Sequence, residues 1–171
     1  MKHSRTAAAL AAALMLAAPA VAAAAAAQAD VLREAQDRAE IEALMWRYDR
    51  ALDGWNPDAY AAVFTPDGAF GKTKGRESLR KMVADLKAGN DARAAKGEPA
   101  LGPMHHIITN QHLEFVSRDH ARFHYYWMTV FGGADLKDPP KVAAAGNGVD
   151  DVVRVGGQWL IQMRDVSGAG D

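Results

Sequence analysis

Asp53 closes a helical run and His106 opens a strand-like one, and a carboxylate that orients a histidine is a recurrent general-base arrangement. Apolar residues at Ile41, Leu44, Met45, Tyr48, Leu52 and Trp55 recur at helical spacing. At about 100° per residue the stripe centres near Met45 and Leu52, with Asp53 on its flank. Such a carboxylate is either solvated surface or the rim of a pocket beneath the helix. Likewise, a histidine on a mostly apolar strand is, taken alone, more often a buried structural residue than a catalyst, and only the pair together brings the two readings level. Spacing leaves both readings open. Tyr48 and Asp53 lie about 140° apart around the helix, so they could reach one ligand only from two sides.

Other chemistries find less support. His106, Ile108, Asn110, His112 and Glu114 are expected on one strand face, but His106 and His112 would stand about 20 Å apart. His120 and His124 would be about 13 Å apart, so no local run has metal-ligand spacing, and no metal is expected. There is no G-x-S-x-G elbow and no P-loop, and Gly146-Asn147-Gly148 does not complete a dinucleotide fingerprint. The chain has no cysteine, which removes thiol nucleophiles, thiolate metal sites and disulfides.

The elements that must position Asp53 and His106 follow from periodicity. Residues 1–29 carry Lys2, His3 and Arg5, an Ala/Leu/Met run, Pro19, and small-residue sites at Ala20-Val21-Ala22 and Ala27-Gln28-Ala29. That is the layout of a secretory signal, implying export, most simply to a bacterial periplasm. The run is too short and alanine-rich for a membrane span, so no membrane partner is expected for the mature form. Residues 30–171 are then one domain. Without Lys2 and Arg5, 18 basic residues face 21 acidic ones, a formal charge of −3 that excludes a nucleic-acid-binding reading.

Asp30 is the expected N-cap of a helix over Val31–Asp53, which Gly54 and Asn56 end. Asn56-Pro57 starts a short helix to about Phe64. Thr65-Pro66-Asp67-Gly68 reads as a turn, before a strand over 69–72. A third helix is expected over 75–88, ended by Gly89 and Asn90, then a loop over 91–103. Strands follow at 104–116, 121–131, 142–155 and 158–166, separated by turn residues. Three helices followed by an antiparallel meander make an α+β fold.

In this order the motifs resemble the SnoaL-like branch of the NTF2-like superfamily. They are Tyr48-x4-Asp53, Phe64-Thr65-Pro66-Asp67-Gly68, Gly75-Arg76-Glu77-Ser78-Leu79, His106-Ile107-Ile108-Thr109-Asn110, Asp151-Val152-Val153-Arg154 and Gly157-Gln158-Trp159 with Arg164. The resemblance implies a cone, a curved antiparallel sheet wrapped around three N-terminal helices with an apolar pocket at one end. The family includes scytalone dehydratase, a bile-acid dehydratase, hexachlorocyclohexane dehydrochlorinase, polyketide cyclases and cofactor-free formaldehyde lyases, beside members without catalysis. Asp53 and His106 match the aspartate and histidine of its eliminating enzymes, and Tyr48 matches a tyrosine of the bile-acid dehydratase. Arg164 resembles an arginine of the dehydrochlorinase pocket. Val149 departs from the pattern, since many relatives carry a tyrosine there.

What the resemblance implies is a cofactor-independent lyase or dehydratase. Asp53, His106 and Tyr48 are its expected catalytic groups, acting on a small aromatic or ring-containing molecule. Arg164, Trp127, Tyr125, Asn110 and Trp55 are the expected binding residues, with Asp49 or Asp151 as a structural alternative partner for Arg164. Of Tyr125 and Tyr126 only one can face the cavity. A homodimer or homotrimer is expected. The rival readings are a non-catalytic periplasmic ligand-binding protein, and an isomerase or cyclase using the same pocket.

Overall fold

The computed structural model describes residues 4–98, 101–133 and 137–168, so Lys2 and His3 of the expected export signal lie outside it, with parts of the expected loop 91–103 and turn 132–140. By its contacts the chain divides into two units, Met1–Ala39 and Glu40–Asp171. Helix α1 (Ser4–Asp53) contributes the whole described part of the first unit. Asp30 does not cap a helix start, because the alanine-rich run before it is already helical. Alanine is the best helix former, so no boundary is imposed there. Asp30 instead pairs with Arg33 at 3.2 Å, and Arg38 pairs with Glu34 at 2.7 Å one turn further on.

The second unit carries the core. Ile41, Leu44, Met45, Tyr48, Ala51 and Leu52 of α1 are buried, which is the stripe seen in the sequence. Helix α2 (Pro57–Ala62) starts where expected, with the Asn56 side chain accepting from the Ala59 amide at 3.0 Å. It ends earlier than expected, and Phe64 already begins strand β1 (Phe64–Phe70). Thr65-Pro66-Asp67-Gly68 is therefore no free turn. It is a bulge, with Phe64 opposite Ile161 and Ala69 opposite Met163 on the neighbouring strand. Gly68 has no room for a side chain, since a Cβ would lie 2.8 Å from the Ile161 carbonyl oxygen.

After the two-residue strand β2 (Thr73–Lys74), helix α3 spans Arg76–Ala95 and runs through Gly89 and Asn90. A mid-helix glycine costs only about 1 kcal/mol against alanine, and Lys81–Asp85 and Lys87–Asp91 pairs support the turns on either side. Strands β3 (Met104–Ser117), β4 (His120–Phe131), β5 (Lys141–Val155) and β6 (Gln158–Asp165) form the expected antiparallel meander. The sheet order is β2-β1-β6-β5-β4-β3, and β1 runs parallel to β6. The sheet is thus mixed, curved and unclosed rather than purely antiparallel. Helices followed by such a sheet are the NTF2-like α+β fold.

One irregularity in β3 decides which histidines face inward. Asn110 has φ +52°, and the pairing with β4 shifts between Thr109 and His112. One left-handed residue reverses the alternation of faces. His106 and Ile108 point to the core side before the bulge, and Leu113 and Phe115 do so after it. His112 and Glu114 are exposed. The expected common face of His106, His112 and Glu114 does not exist.

Candidate active site

Asp53 sits in the last turn of α1, where the helix dipole disfavours an anion and favours a nearby cation. His106 supplies what the carboxylate needs there. Its main-chain N–H donates to both Asp53 oxygens at 3.1 and 3.3 Å, and its ring Nδ1 lies 2.7 Å from Asp53 Oδ1. A carboxylate can only accept, so Nδ1 carries the hydrogen and Nε2 holds the lone pair. Both side chains are nearly buried, 11% exposed for Asp53 and 12% for His106.

His106 lines a cavity of about 210 Å³ together with Tyr48, Leu52, Phe70, Trp127, Thr129, Ala144, Arg164 and Val166. An apolar cavity of about 150 Å³ takes up benzene, so this one has room for a molecule with one or two rings. Thr129 is the direct cross-strand neighbour of His106. A larger groove of about 970 Å³ lies on the other side of α1, between Trp46, Arg47, Arg50 and the β5–β6 turn. It contains no histidine, and its one carboxylate, Glu40, is engaged by Arg154 at 3.4 Å. Size alone does not mark the chemistry.

Tyr48 is fully buried, and its ring stands over the Arg164 guanidinium with 3.9 Å between guanidinium carbon and ring centroid. Burial raises the Tyr48 pKa, against the pull of Arg164, so the phenol stays protonated and able to donate. Arg164 is only 3% exposed, and its ion-pair partner is Asp150 of β5, not Asp49 or Asp151. The register sets this: Asp150 lies opposite Arg164 across β5 and β6, while Asp151 points outward to His120 at 2.8 Å. Asp150 also accepts from the Tyr125 hydroxyl at 2.9 Å. Burial lifts the Asp150 carboxyl to about 6, although Arg164 and Tyr125 both hold it down. Burial is the largest influence on the Arg164 cation and works against it, but Asp150, Tyr48, Tyr125 and Asp49 together outweigh it and the pKa of Arg164 is raised. Its Nε–H is buried without a hydrogen-bond partner.

The other expected binding residues divide. Trp127 lines the cavity, and its indole N–H donates to the Asn147 carbonyl at 3.2 Å. Tyr125 faces inward, but it sits in the core behind Arg164 rather than on the cavity wall. Tyr126 is 56% exposed on the opposite face. Asn110 is exposed at its bulge, and Trp55, with φ +50°, packs against the core outside the cavity lining. Sequence reasoning missed Asp150 and Thr129. Both sit at cross-strand positions, and pairing β5 with β6 and β3 with β4 in register would have found them. Gly146 and Gly148, set aside as a broken fingerprint, make room for aromatic rings. A Cβ at Gly146 would lie 3.2 Å from the Trp127 indole, and one at Gly148 2.6 Å from the Tyr125 hydroxyl. Among the described residues no group of three or more His, Asp or Glu side chains is arranged to hold a metal ion.

Residues 33–165 match the SnoaL-like domain family. The chain belongs to this family. Solved structures share the fold at low identity. An NTF2-like protein with a cystatin-like fold from Novosphingobium aromaticivorans is 19% identical, with a TM-score of 0.64 over 83% of this chain and 90% of that one. A candidate scytalone dehydratase of the same organism is 22% identical, with a TM-score of 0.61 over 78% and 85%. A Catenulispora acidiphila protein in complex with S-DNPA is 22% identical, with a TM-score of 0.59 over 77% and 92%. No curated protein matches the chain.

Proposed function

We propose that this SnoaL-like protein is a cofactor-independent lyase, a dehydratase or related eliminating enzyme, acting on a small ring-containing molecule. The observation that carries the proposal is the 2.7 Å contact between Asp53 Oδ1 and His106 Nδ1 on a histidine that lines a mostly apolar cavity. In this reading His106 Nε2 removes an acidic C–H proton from the bound molecule. Asp53 holds the tautomer and stabilises the imidazolium, helped by the C-terminal end of α1. The neutral Tyr48 phenol donates to the leaving hydroxyl or to the oxyanion that develops. Acid–base assistance of this kind is worth on the order of 10²–10⁴-fold in rate.

Arg164 lines the cavity as a fixed cation, and its charge suits a carbonyl, phenolate or carboxylate oxygen of the substrate. The Trp127 and Phe70 rings bound the apolar part of the space. Export through residues 1–29 belongs to the same proposal and places the reaction in the periplasm.

The test is a panel of one- and two-ring hydroxy and carbonyl compounds, screened for elimination products or for exchange of an acidic C–H with deuterium from solvent. Asp53→Asn and His106→Ala should each abolish most of any turnover while the protein stays folded. Normal turnover by both variants would exclude the dyad. Ligand binding without turnover or exchange across the panel would leave the cavity as a binding site only.

A further inference from the structure

Five side chains on the wall of the His106 cavity carry a polar atom: Tyr48, His106, Trp127, Thr129 and Arg164. Four of them already have a task. Arg164 and the Tyr48 phenol donate, and the Trp127 indole N–H is spent on the Asn147 carbonyl. His106 Nε2 keeps its lone pair for the C–H proton. Thr129 is left. Its side chain is half-buried, and its hydroxyl makes no hydrogen bond among the described residues.

The sheet places this hydroxyl beside the base. His106, Thr129 and Ala144 are direct partners across β3, β4 and β5, and all three line the cavity. Direct cross-strand neighbours on one face stand about 4.5–5.5 Å apart at Cβ. A hydroxyl and an acidic C–H on one ring can therefore meet Thr129 and His106 together. Ala144, on the other side of Thr129, is small and exposed, so it does not block a ligand from the hydroxyl. Directly after this row the register shifts and Val130 faces Val142, which leaves Ala143 as one extra residue in β5. Bulges of this kind re-aim side chains beside active sites.

The other polar groups on the wall show what Thr129 adds. Guanidinium and indole groups have no acceptor, and the Tyr48 phenol is needed as a donor. Those groups serve a carbonyl or an oxyanion. A substrate hydroxyl must also give its own hydrogen to a partner, and in a mostly apolar cavity an unmade hydrogen bond is costly. Threonine Oγ1 has two lone pairs and supplies that acceptor. Valine would fill nearly the same space and suit the strand as well, so neither packing nor strand propensity calls for the hydroxyl.

We propose that Thr129 is a specificity-determining residue of this cavity, its Oγ1 accepting a hydrogen bond from a hydroxyl on the substrate ring. The inference rests on the lyase reading and narrows its substrate to a hydroxylated ring compound. The hydroxyl and the acidic C–H lie within reach of two adjacent strands.

Two ketones, 1-indanone and 2-hydroxy-1-indanone, test the contact without turnover. Neither has a leaving group β to its carbonyl, so removal of the acidic proton expels nothing. Affinities are read by NMR titration of the Trp127 indole N–H in the wild type, Thr129→Ser, Thr129→Val and Thr129→Ala. The wild type and Thr129→Ser should bind the hydroxy ketone about tenfold tighter than 1-indanone, the size of one hydrogen bond. Thr129→Val and Thr129→Ala should bind the two alike, and either suffices should the other not fold. A hydroxyl-free variant that kept the preference would overturn the inference. So would a wild type that showed none, including one that took up neither ketone. Deuterium uptake at C2 of 1-indanone reads the base separately, since that ketone offers Thr129 no hydroxyl. Absence of uptake beside an intact binding preference would sink the lyase reading while upholding the Thr129 contact.

Discussion

Asp53 receives both the main-chain and the ring N–H of His106, so one residue satisfies the carboxylate and fixes the imidazole in a single contact. The arrangement ties the last turn of α1 to the first residues of β3. It also predicts a separation of effects between two variants. Asp53→Asn keeps the shape but can present an amide N–H to Nδ1, favouring the wrong tautomer. Turnover should fall by about 10²–10⁴-fold, with the melting temperature changed by only a few degrees. His106→Ala removes the base but leaves the main-chain N–H on Asp53, so it should be as inactive and still folded. Circular dichroism melts beside the turnover assay check both.

Arg164 and Asp150 predict the opposite balance. Both are almost completely buried, and they are held between the Tyr48 and Tyr125 rings. Arg164→Met leaves Asp150 as an uncompensated interior charge, and such losses cost about 3–5 kcal/mol. The variant should unfold at markedly lower urea concentration. Arg164→Met combined with Asp150→Leu should recover much of that loss, since a buried pair replaced by apolar groups of similar volume is often neutral or better. The double variant should nonetheless stay inactive if the Arg164 cation serves the substrate.

Much of this site was legible in residue types, and the remainder depended on register. The meander showed itself because β-branched and aromatic runs alternate with Gly/Asp/Ser turns from Met104 onward. The helix carrying Asp53 showed itself through its stripe. What did not show was the single left-handed residue, Asn110, that turns His112 and Glu114 outward. A reversal of faces in one residue leaves no trace in local composition. The choice of Asp150 over Asp151 for Arg164 is equally hidden, because it follows from which residue of β5 stands opposite β6. The parallel pairing of β1 with β6 joins segments about 95 residues apart, a topological fact that turn chemistry at Pro66 and Gly68 could not report.

Stability should fall between mildly acidic and neutral pH, and Asp49 should carry part of the fall. The unfolded chain releases this proton near its ordinary value of 3.8, whereas the folded protein keeps it to about 7. Between those values the native state binds more protons, so stability declines as pH rises and the loss is complete above about 7. Asp150, lifted to about 6 by burial, adds to the slope over a narrower range. Asp49→Asn should flatten the decline by on the order of 2 kcal/mol between pH 4 and pH 8. Urea midpoints measured across that range check the sign, and a wild-type protein that gains stability from pH 5 to pH 7 through these groups would contradict it.

Two glycine-to-alanine variants should move stability in opposite directions. Gly148 on β5 lies under the Tyr125 ring, and an added Cβ would come within 2.6 Å of the hydroxyl and 2.7 Å of the ring carbon that bears it. Tyr125 cannot yield freely, because its hydroxyl donates to Asp150 and its ring stacks on Arg164. Gly148→Ala should therefore cost about 1–3 kcal/mol, the usual penalty for overpacking, and weaken turnover through Arg164. Gly89 lies inside α3, and a Cβ there meets nothing within 4 Å. Alanine at that position removes the helix penalty of glycine, so Gly89→Ala should stabilise the protein by up to about 1 kcal/mol with turnover unchanged. Urea unfolding of both variants in one buffer reads the two shifts directly. If Gly148→Ala proved as stable as the parent, Tyr125 would not be held against β5 as described.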